Sequence, residues 1–419
     1  MVKLLIHGPN RLSGELSVHG AKNSTLPLMA AALLCKSECV LHNCPHLSDV
    51  EVSARILRHL GCTVQWEGSS LVVDPRGVCQ WDIPDALMRE MRSSIVFLGA
   101  IVARTGRAVL SFPGGCELGP RPIDLHLHAL RKMGVRIAED YGCLSCSVDG
   151  SLRGAAIGLS FPSVGATENI MLAAVLAEGT TIVTNAAREP EICDLAMFLN
   201  RCGARIRGAG ESTLVIEGVR QLHGCEHRVI PDRIVAATYM SAAAATGSAI
   251  VLNHVIPAHL EPVMPAFEEL GCSIEIKGGS LRIAAPRRMG RIKSVRTMPY
   301  PGFPTDAQAP LMAAACLGSG TSIFVENIFE SRYKHVGELL RLGANIKVEG
   351  RVAVVEGVPR LSGAPVEAAD LRGGAALVVA GLAARGDTEV TGLRYIDRGY
   401  ENMERSLALL GADIRREYQ

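Results

Sequence analysis

The sequence predicts an α/β protein with helices inside and sheets around them, built from six repeats that divide three and three. Three observations predict it. A glycine closes an amphipathic helix and opens an alternating strand six times, at Gly61, Gly134, Gly203, Gly271, Gly343 and Gly411, with separations of 68 to 73 residues. A strand marker (Ser37, Gly106, Gly179, Gly247, Gly320 and Gly386) stands 23 to 28 residues before each of those glycines. Ahead of each marker runs a small-residue helix without a polar face, as in L-P-L-M-A-A-A-L-L, N-I-M-L-A-A-V-L-A and P-L-M-A-A-A-C-L. A fixed period of this kind marks stacked supersecondary units, and a helix that is apolar all round is a buried one.

Each element follows from local chemistry. The recurring glycines, in segments such as H-L-G-C-T-V, E-L-G-C-S-I and R-L-G-A-N-I, sit where a helix C-cap needs the left-handed backbone. Each unit therefore supplies one internal helix, one amphipathic helix and several strands. The residues after Gly411 end at Gln419, too soon for the closing strands of the other units. The N-terminal I-H-G-P-N-R-L-S-G-E-L-S-V-H-G-A-K resembles V-V-E-G-V-P-R-L-S-G-A-P-V-E-A-A-D-L-R and supplies the missing piece. The expected domains are residues 21–230, with repeats one to three, and residues 1–20 plus 231–419, with repeats four to six. The chain then crosses twice between rigid bodies, hinged near residues 21 and 230.

Composition excludes several classes. With 43 basic and 42 acidic residues the net charge is +1, which gives no basic footprint for nucleic acid and no polybasic membrane surface. Apolar runs such as Ile170–Ala177 and Ala309–Leu317 fall short of the roughly 20 residues that span a bilayer. The N-terminal M-V-K-L-L-I-H-G-P lacks a signal-peptide core. Thirteen cysteines are spread without a disulfide framework. The expectation is a soluble, cytoplasmic protein with reduced thiols. A 48% hydrophobic but only 4% aromatic composition implies cores packed from Ala, Leu, Val and Ile.

The repeats also place polar residues in register. Fourteen residues before the markers lie Arg92, Gly165, Arg233, Asp306 and Arg372, and Lys22 lies fifteen before its own. Cations at a helix N-terminus oppose the macrodipole, so four basic residues in this register point to a cleft for a strongly anionic ligand. Solvated helix starts are the plainer reading. Loops after the marker strands bring Cys116, Arg121, Arg188, Arg332 and Arg398 to the same end of their repeats. Asp306, the single acid among these registers, suits accepting a proton from a hydroxyl or holding a sugar.

The stretch Leu110–Asp124, L-S-F-P-G-G-C-E-L-G-P-R-P-I-D, is too rich in glycine and proline for helix or ladder. It presents Cys116 with Arg121 five residues on, a cation able to lower the thiol's pKa; an incidental cysteine in a surface loop is the competing reading. Other motifs carry little. Cys143-x-x-Cys146 has no second pair for zinc, His126 and His128 lack metal spacing, and Gly208-x-Gly210 lacks the third glycine of a dinucleotide site. No metal is expected.

At G-A-K-N-S, P-G-G-C-x-x-G-P-R-P-x-D-L-H, P-S-V-G-A-T-E-N, A-A-R-E-P-E, P-D-R, F-P-T-D-A-Q, F-E-S-R, D-L-R and I-D-R-G-Y-E, the chain closely resembles the UDP-N-acetylglucosamine 1-carboxyvinyltransferases of the enolpyruvyl transferase family. The resemblance covers essentially the whole length. It implies a two-domain inside-out α/β barrel built from six βαβαββ repeats, three per domain. The implied substrates are phosphoenolpyruvate and UDP-N-acetylglucosamine, with no cofactor; no nucleic acid and no membrane are expected, and the oligomeric state stays open with a monomer favoured. By resemblance Cys116 donates the proton to the methylene carbon and can form a covalent adduct, and Asp306 is the base. Lys22, Asn23, Arg121 and Arg398 bind phosphoenolpyruvate, with Arg372 close by. Arg92, Arg121, Pro122, Ile123, Asp124, Leu125, Ser163, Val164, Gly165, Asp306 and Ile328 line the UDP-sugar site. Cys116, Asp306, Lys22 and Arg398 are the catalytic set. Tyr395 stands where histidine is usual, Ser331 where asparagine is, and Phe161-Pro162 where some members carry lysine. The nearest alternative is 3-phosphoshikimate 1-carboxyvinyltransferase; another is a non-catalytic UDP-sugar-binding paralogue.

Overall fold

Small, apolar and unbranched residues dominate six helices of the computed structural model, which describes residues 2–112 and 123–418. These helices are Lys22–Ala32, Phe97–Thr105, Val164–Ala174, Arg233–Ala245, Thr305–Ala315 and Leu371–Ala383. Met29 to Cys35 and Ala375 to Ala380 have no exposed surface at all, so a polar face would have nowhere to point. Each leucine buried in this way contributes about 2 kcal/mol by removing its side chain from water. The alanines let the helices approach closely, and two tight points are set by glycine. A Cβ on Gly99 would lie 2.3 Å from the Asn169 carbonyl oxygen, and one on Gly374 would lie 2.7 Å from Ile396 Cγ1.

Around the helices stand six four-stranded sheets of one design. The third repeat shows the pattern. Ala156–Gly158 runs parallel to Thr180–Thr184, which pairs antiparallel with Thr213–Glu217, which pairs antiparallel with Arg205–Arg207. The parallel pair needs a crossover, and the buried helix Val164–Ala174 supplies it. The alternating burial of Thr180–Thr184 turns Thr181 and Val183 inward and leaves Thr180, Ile182 and Thr184 outside. At the ends of the amphipathic helices, Gly61, Gly134, Gly203, Gly271, Gly343 and Gly411 take φ values of 89° to 103°, the left-handed cap that a side chain would strain.

The described residues divide into two compact units, residues 2–19 with 231–418 and residues 20–112 with 123–230. Each has its own apolar core and three of the sheets. Where the chain passes from one unit to the other, the parallel edge strand stays behind. Glu15–Ser17 precedes helix Lys22–Ala32 but pairs with Ala249–Asn253, and Glu226–Arg228 precedes helix Arg233–Ala245 but pairs with Cys39–His42. Val2–Gly8 lies between Gly386–Thr391 and Ile414–Tyr418, antiparallel to both.

Candidate active site

In the unit of residues 231–418, the sequence places Asp306 and Arg372 each as the second residue of a buried helix. Arg332 follows the strand Thr321–Val325. The three side chains meet. Arg332 Nη2 donates to Asp306 Oδ1 at 2.9 Å and to the Thr305 carbonyl at 3.0 Å. Arg372 donates to Asp306 Oδ2 from Nη2 at 3.2 Å and from Nε at 3.3 Å. Both guanidinium side chains are only 2% exposed, whereas that of Asp306 is 27% exposed.

Supporting groups fix this constellation. Asp370 Oδ1 caps its helix by accepting from the Arg372 and Gly373 amides at 3.0 and 2.9 Å. The Arg372 guanidinium lies 5.3 Å from the centre of the Tyr400 ring, and the Tyr400 hydroxyl is held by Thr238 Oγ1 at 2.8 Å. Burial alone would lower the pKa of Arg372, but Tyr400, Asp306 and Asp232 more than offset it and hold the group above its ordinary value. Ile328 is positioned by the buried carboxylate of Glu326, which accepts from the Ile328 and Phe329 amides at 2.7 and 2.9 Å and from Thr305 Oγ1 at 2.9 Å.

In the unit of residues 20–230, Lys22 opens its helix with Nζ 3.1 Å from Asp49 Oδ2, the two side chains being 8% and 2% exposed. Asn23 is next to it and half-buried. Two prolines mark the corresponding positions of two repeats: Pro27 lies four residues after Asn23 and Pro310 four after Asp306, both inside their helices. A proline has no N–H, so neither the Asn23 nor the Asp306 carbonyl receives the usual helical bond from four residues on.

A cavity of about 690 Å³ in the same unit is lined by Arg92, Ile123, Asp124 and Leu125, with Arg131 and Ser160 on its wall. Its size is that of a small-molecule site. Ser163 caps the helix beginning at Val164 by accepting from the Ala166 amide at 3.3 Å. Gly165 lies flat against His126, whose Cε1 a Cβ there would approach to 3.0 Å. The amide of Asn169 joins these parts. Its Oδ1 accepts from Gly99 N at 2.7 Å, which leaves Nδ2 to donate to His126 Nδ1 at 2.9 Å and to the Ile95 carbonyl at 3.1 Å. His126 therefore accepts at Nδ1. Burial, then the charge of Arg92, push its pKa down to about 4, so it is neutral.

The structure thus brings Asp306 together with Arg372 and Arg332, and Arg92 together with Ile123, Asp124 and Leu125. Arg398 is half-buried beside Asp397, which binds Arg416 at 2.7 and 2.9 Å. Cys116, Arg121 and Pro122 lie outside the described residues. Tyr395 places its hydroxyl 3.3 Å from its neighbour Arg394.

The structure adds carboxylates beside three of the basic helix starts. Asp49 meets Lys22, Asp306 meets Arg372, and Asp370 and Asp232 cap the helices that carry Arg372 and Arg233. Sequence reasoning missed Asp49, Asp370 and Tyr400. Asp370 and Asp232 were findable as the residues just before helices; Asp49, 27 residues from its partner in another helix, carried no such signal.

Residues 6–407 match the family model for EPSP synthase (3-phosphoshikimate 1-carboxyvinyltransferase). The chain is 52% identical over 416 residues to UDP-N-acetylglucosamine 1-carboxyvinyltransferase 2 of Caldanaerobacter subterraneus, covering 99% of this chain and 100% of that one. It is 46% identical over 417 residues to the Bacillus subtilis protein named UDP-N-acetylglucosamine 1-carboxyvinyltransferase 2, covering 100% and 97%. Among solved structures it is similar to the enolpyruvyl transferase NikO from Streptomyces tendae, with a TM-score of 0.89, 26% identity and coverage of 99% and 98%. EPSP synthase from Acinetobacter baumannii, at 19% identity with a TM-score of 0.75 and coverage of 99% and 100%, shares the fold. That fold is the two-domain inside-out α/β barrel of six βαβαββ repeats, three per domain, expected from the sequence.

Proposed function

Because this chain belongs to the enolpyruvyl transferase family, we propose that it transfers the enolpyruvyl group of phosphoenolpyruvate to the 3-hydroxyl of UDP-N-acetylglucosamine, with release of phosphate. The observation that carries the reading is the carboxylate of Asp306, anchored by two buried arginines, Arg332 and Arg372, while its own side chain stays partly exposed. A transfer to a hydroxyl needs a fixed acceptor for the hydroxyl proton, and a doubly anchored, partly exposed carboxylate is one. Relatives that share about half of this sequence over its full length bear the name of the UDP-sugar enzyme, which favours that acceptor over shikimate 3-phosphate.

In this reading the Cys116 thiol gives its proton to the methylene carbon of phosphoenolpyruvate. The sugar oxygen then forms its bond to C2 as Asp306 takes the hydroxyl proton. Return of a methyl proton to the Cys116 thiolate, with departure of phosphate from the tetrahedral intermediate, restores the double bond in the product and the thiol in the enzyme. Lys22, Asn23, Arg121 and Arg398 hold phosphate and carboxylate, where charge develops as the intermediate forms. Arg92, Arg121, Pro122, Ile123, Asp124, Leu125, Ser163, Val164, Gly165 and Ile328 contact the UDP-sugar. Arg372 orients Asp306. The product is a peptidoglycan precursor, which ties the protein to cell-wall synthesis, cell shape and division in the cytoplasm, acting as a monomer. Among the described residues no helix is long and apolar enough to cross a membrane.

The deciding experiment follows phosphate released from phosphoenolpyruvate with each acceptor in turn. Release with UDP-N-acetylglucosamine is expected. Release only with shikimate 3-phosphate moves the protein to the other branch, and release with neither leaves a sugar-binding paralogue. The epoxide fosfomycin is expected to alkylate Cys116, and a mass label on any other residue refutes the thiol's role.

A further inference from the structure

Thirteen cysteines show no pattern along the chain, but four of them converge in the unit of residues 20–230. Cys35 follows the buried helix Lys22–Ala32, and Cys39 opens the strand Cys39–His42. Cys202 is the C-cap of helix Pro190–Arg201, and Cys225 precedes the strand Glu226–Arg228. The sulfurs of Cys35, Cys39 and Cys202 all lie within 4.8 Å of one another, and Cys202 Sγ is 3.3 Å from Cys225 Sγ. The first three side chains are fully buried and Cys225 is partly exposed.

We propose that these four thiols form a structural site for a thiophilic metal ion, zinc first among them, with Cys202 at its centre and Cys225 closing the coordination from the outer side. Four sulfurs at ~2.3 Å from a zinc ion define a tetrahedron with edges of ~3.8 Å. The sulfurs of Cys35, Cys39 and Cys202 lie within 4.8 Å of one another, whereas Cys225 stands 3.3 Å from Cys202 but outside that mutually close trio, so its side chain must turn inward to complete the tetrahedron. Among the described residues no other group of three or more metal-capable side chains gathers its ligand atoms in this way.

The position gives the ion a purpose. The site joins the first repeat to the third, beside the short parallel pairing of Glu226–Arg228 with Cys39–His42 and the bridge between Cys35 and Leu222 that close the ring of three repeats. An ion held from both sides of that seam staples the unit shut.

The test is anaerobic titration of the reduced, metal-free full-length protein with Co²⁺. Uptake of one equivalent is expected, with sulfur-to-cobalt charge-transfer absorption and the intense visible bands of a tetrahedral ion, both lost on adding Zn²⁺. Cys202→Ser abolishes the signal, Cys225→Ser shifts it towards three sulfurs, and Cys316→Ser leaves it unchanged. Should Cys202→Ser fail to fold, X-ray absorption of the zinc-loaded wild-type protein decides, with four sulfur neighbours expected. Zinc surrounded by nitrogen and oxygen, the absence of a thiolate band, or a Cys202–Cys225 disulfide that forms equally in zinc-loaded protein overturns the proposal.

Discussion

Arg372 turns the edge of its guanidinium onto Asp306, with Nη2 and Nε 3.2 and 3.3 Å from the same carboxylate oxygen. The other oxygen belongs to Arg332, so one carboxylate compensates two buried cations. Asp306→Asn keeps the shape but cannot take up a proton, and kcat is expected to fall by roughly 10²- to 10⁴-fold, the contribution of a positioned general base. Asp306→Ala removes the compensating charge as well and is expected to lower stability by on the order of 3 kcal/mol. Phosphate-release kinetics and urea unfolding on both variants separate the two effects. An Asn variant with wild-type kcat eliminates Asp306 as the base.

Lys22 and Asp49 form the corresponding pair in the other unit, 3.1 Å apart and almost wholly buried. If Lys22 holds phosphoenolpyruvate, Asp49 fixes where its ammonium sits. A hydrogen bond between charged groups contributes about 1.5–3 kcal/mol. Asp49→Asn is therefore expected to raise KM for phosphoenolpyruvate about tenfold while leaving KM for the UDP-sugar in place. Lys22→Arg is expected to do no better, because a planar guanidinium does not reproduce a point charge in a pocket built around an ammonium. Equal changes in both KM values would show a general loss of structure instead.

The fold was legible because its constraints are local and repeated. A helix that must turn into a strand wants the left-handed conformation at its C-cap, so Gly61, Gly134, Gly203, Gly271, Gly343 and Gly411 announce the period. A helix with no exposed face must be made of small apolar residues, as in Met29 to Cys35. The site was legible where a residue stands at a fixed register, as Asp306 and Arg372 do. It was not legible where the partner comes from elsewhere in the chain. Asp49 and Tyr400 are ordinary residues until folding sets one beside Lys22 and the other beneath Arg372. His126 illustrates the same limit, since only the packing of Gly165 and the amide of Asn169 reveal it as a buried neutral group.

The contact between the second and third buried helices rests on the absence of one methyl group. A Cβ on Gly99 would meet the Asn169 carbonyl oxygen at 2.3 Å and Asn169 Oδ1 at 3.1 Å. The same backbone donates to Asn169 Oδ1 at 2.7 Å. Gly99→Ala must separate two packed helices and is expected to destabilise by about 1–3 kcal/mol. Gly337, also in a helix, has nothing within 4 Å of such a Cβ, and Gly337→Ala is expected to stabilise by up to about 1 kcal/mol through helix propensity. Urea midpoints of opposite sign for the two variants are the outcome to look for, and a loss of stability in both would remove close approach as the cause.

Three buried ionisable groups give the protein a pH dependence whose parts have opposite signs. Burial pushes His126 and His335 down to about 4; Arg92 adds to this at His126 and Arg332 at His335, while Asp124 and Asp370 respectively oppose it. Between the ordinary value of 6.5 and about 4, the unfolded chain binds protons that the folded chain refuses. Their stabilising contribution is therefore whole above 6.5 and is lost as pH falls through that window, by on the order of 3 kcal/mol per histidine at most. Glu168 works the other way. Burial first, then the charges of Glu191 and Glu189, raise it well above 4.5, so the folded protein keeps a proton that the unfolded chain releases. That contribution is whole below 4.5 and is lost as pH rises through the raised folded value. Glu168→Gln replaces the acid with a neutral group of the same shape, so it is expected to stabilise the protein at pH 8 and to leave it unchanged at pH 4. His126→Gln and His335→Gln are expected to flatten the stability profile between pH 6.5 and 4. Chemical denaturation at spaced pH values measures all three, and variant curves running parallel to the wild type would show that these groups do not titrate as their burial requires.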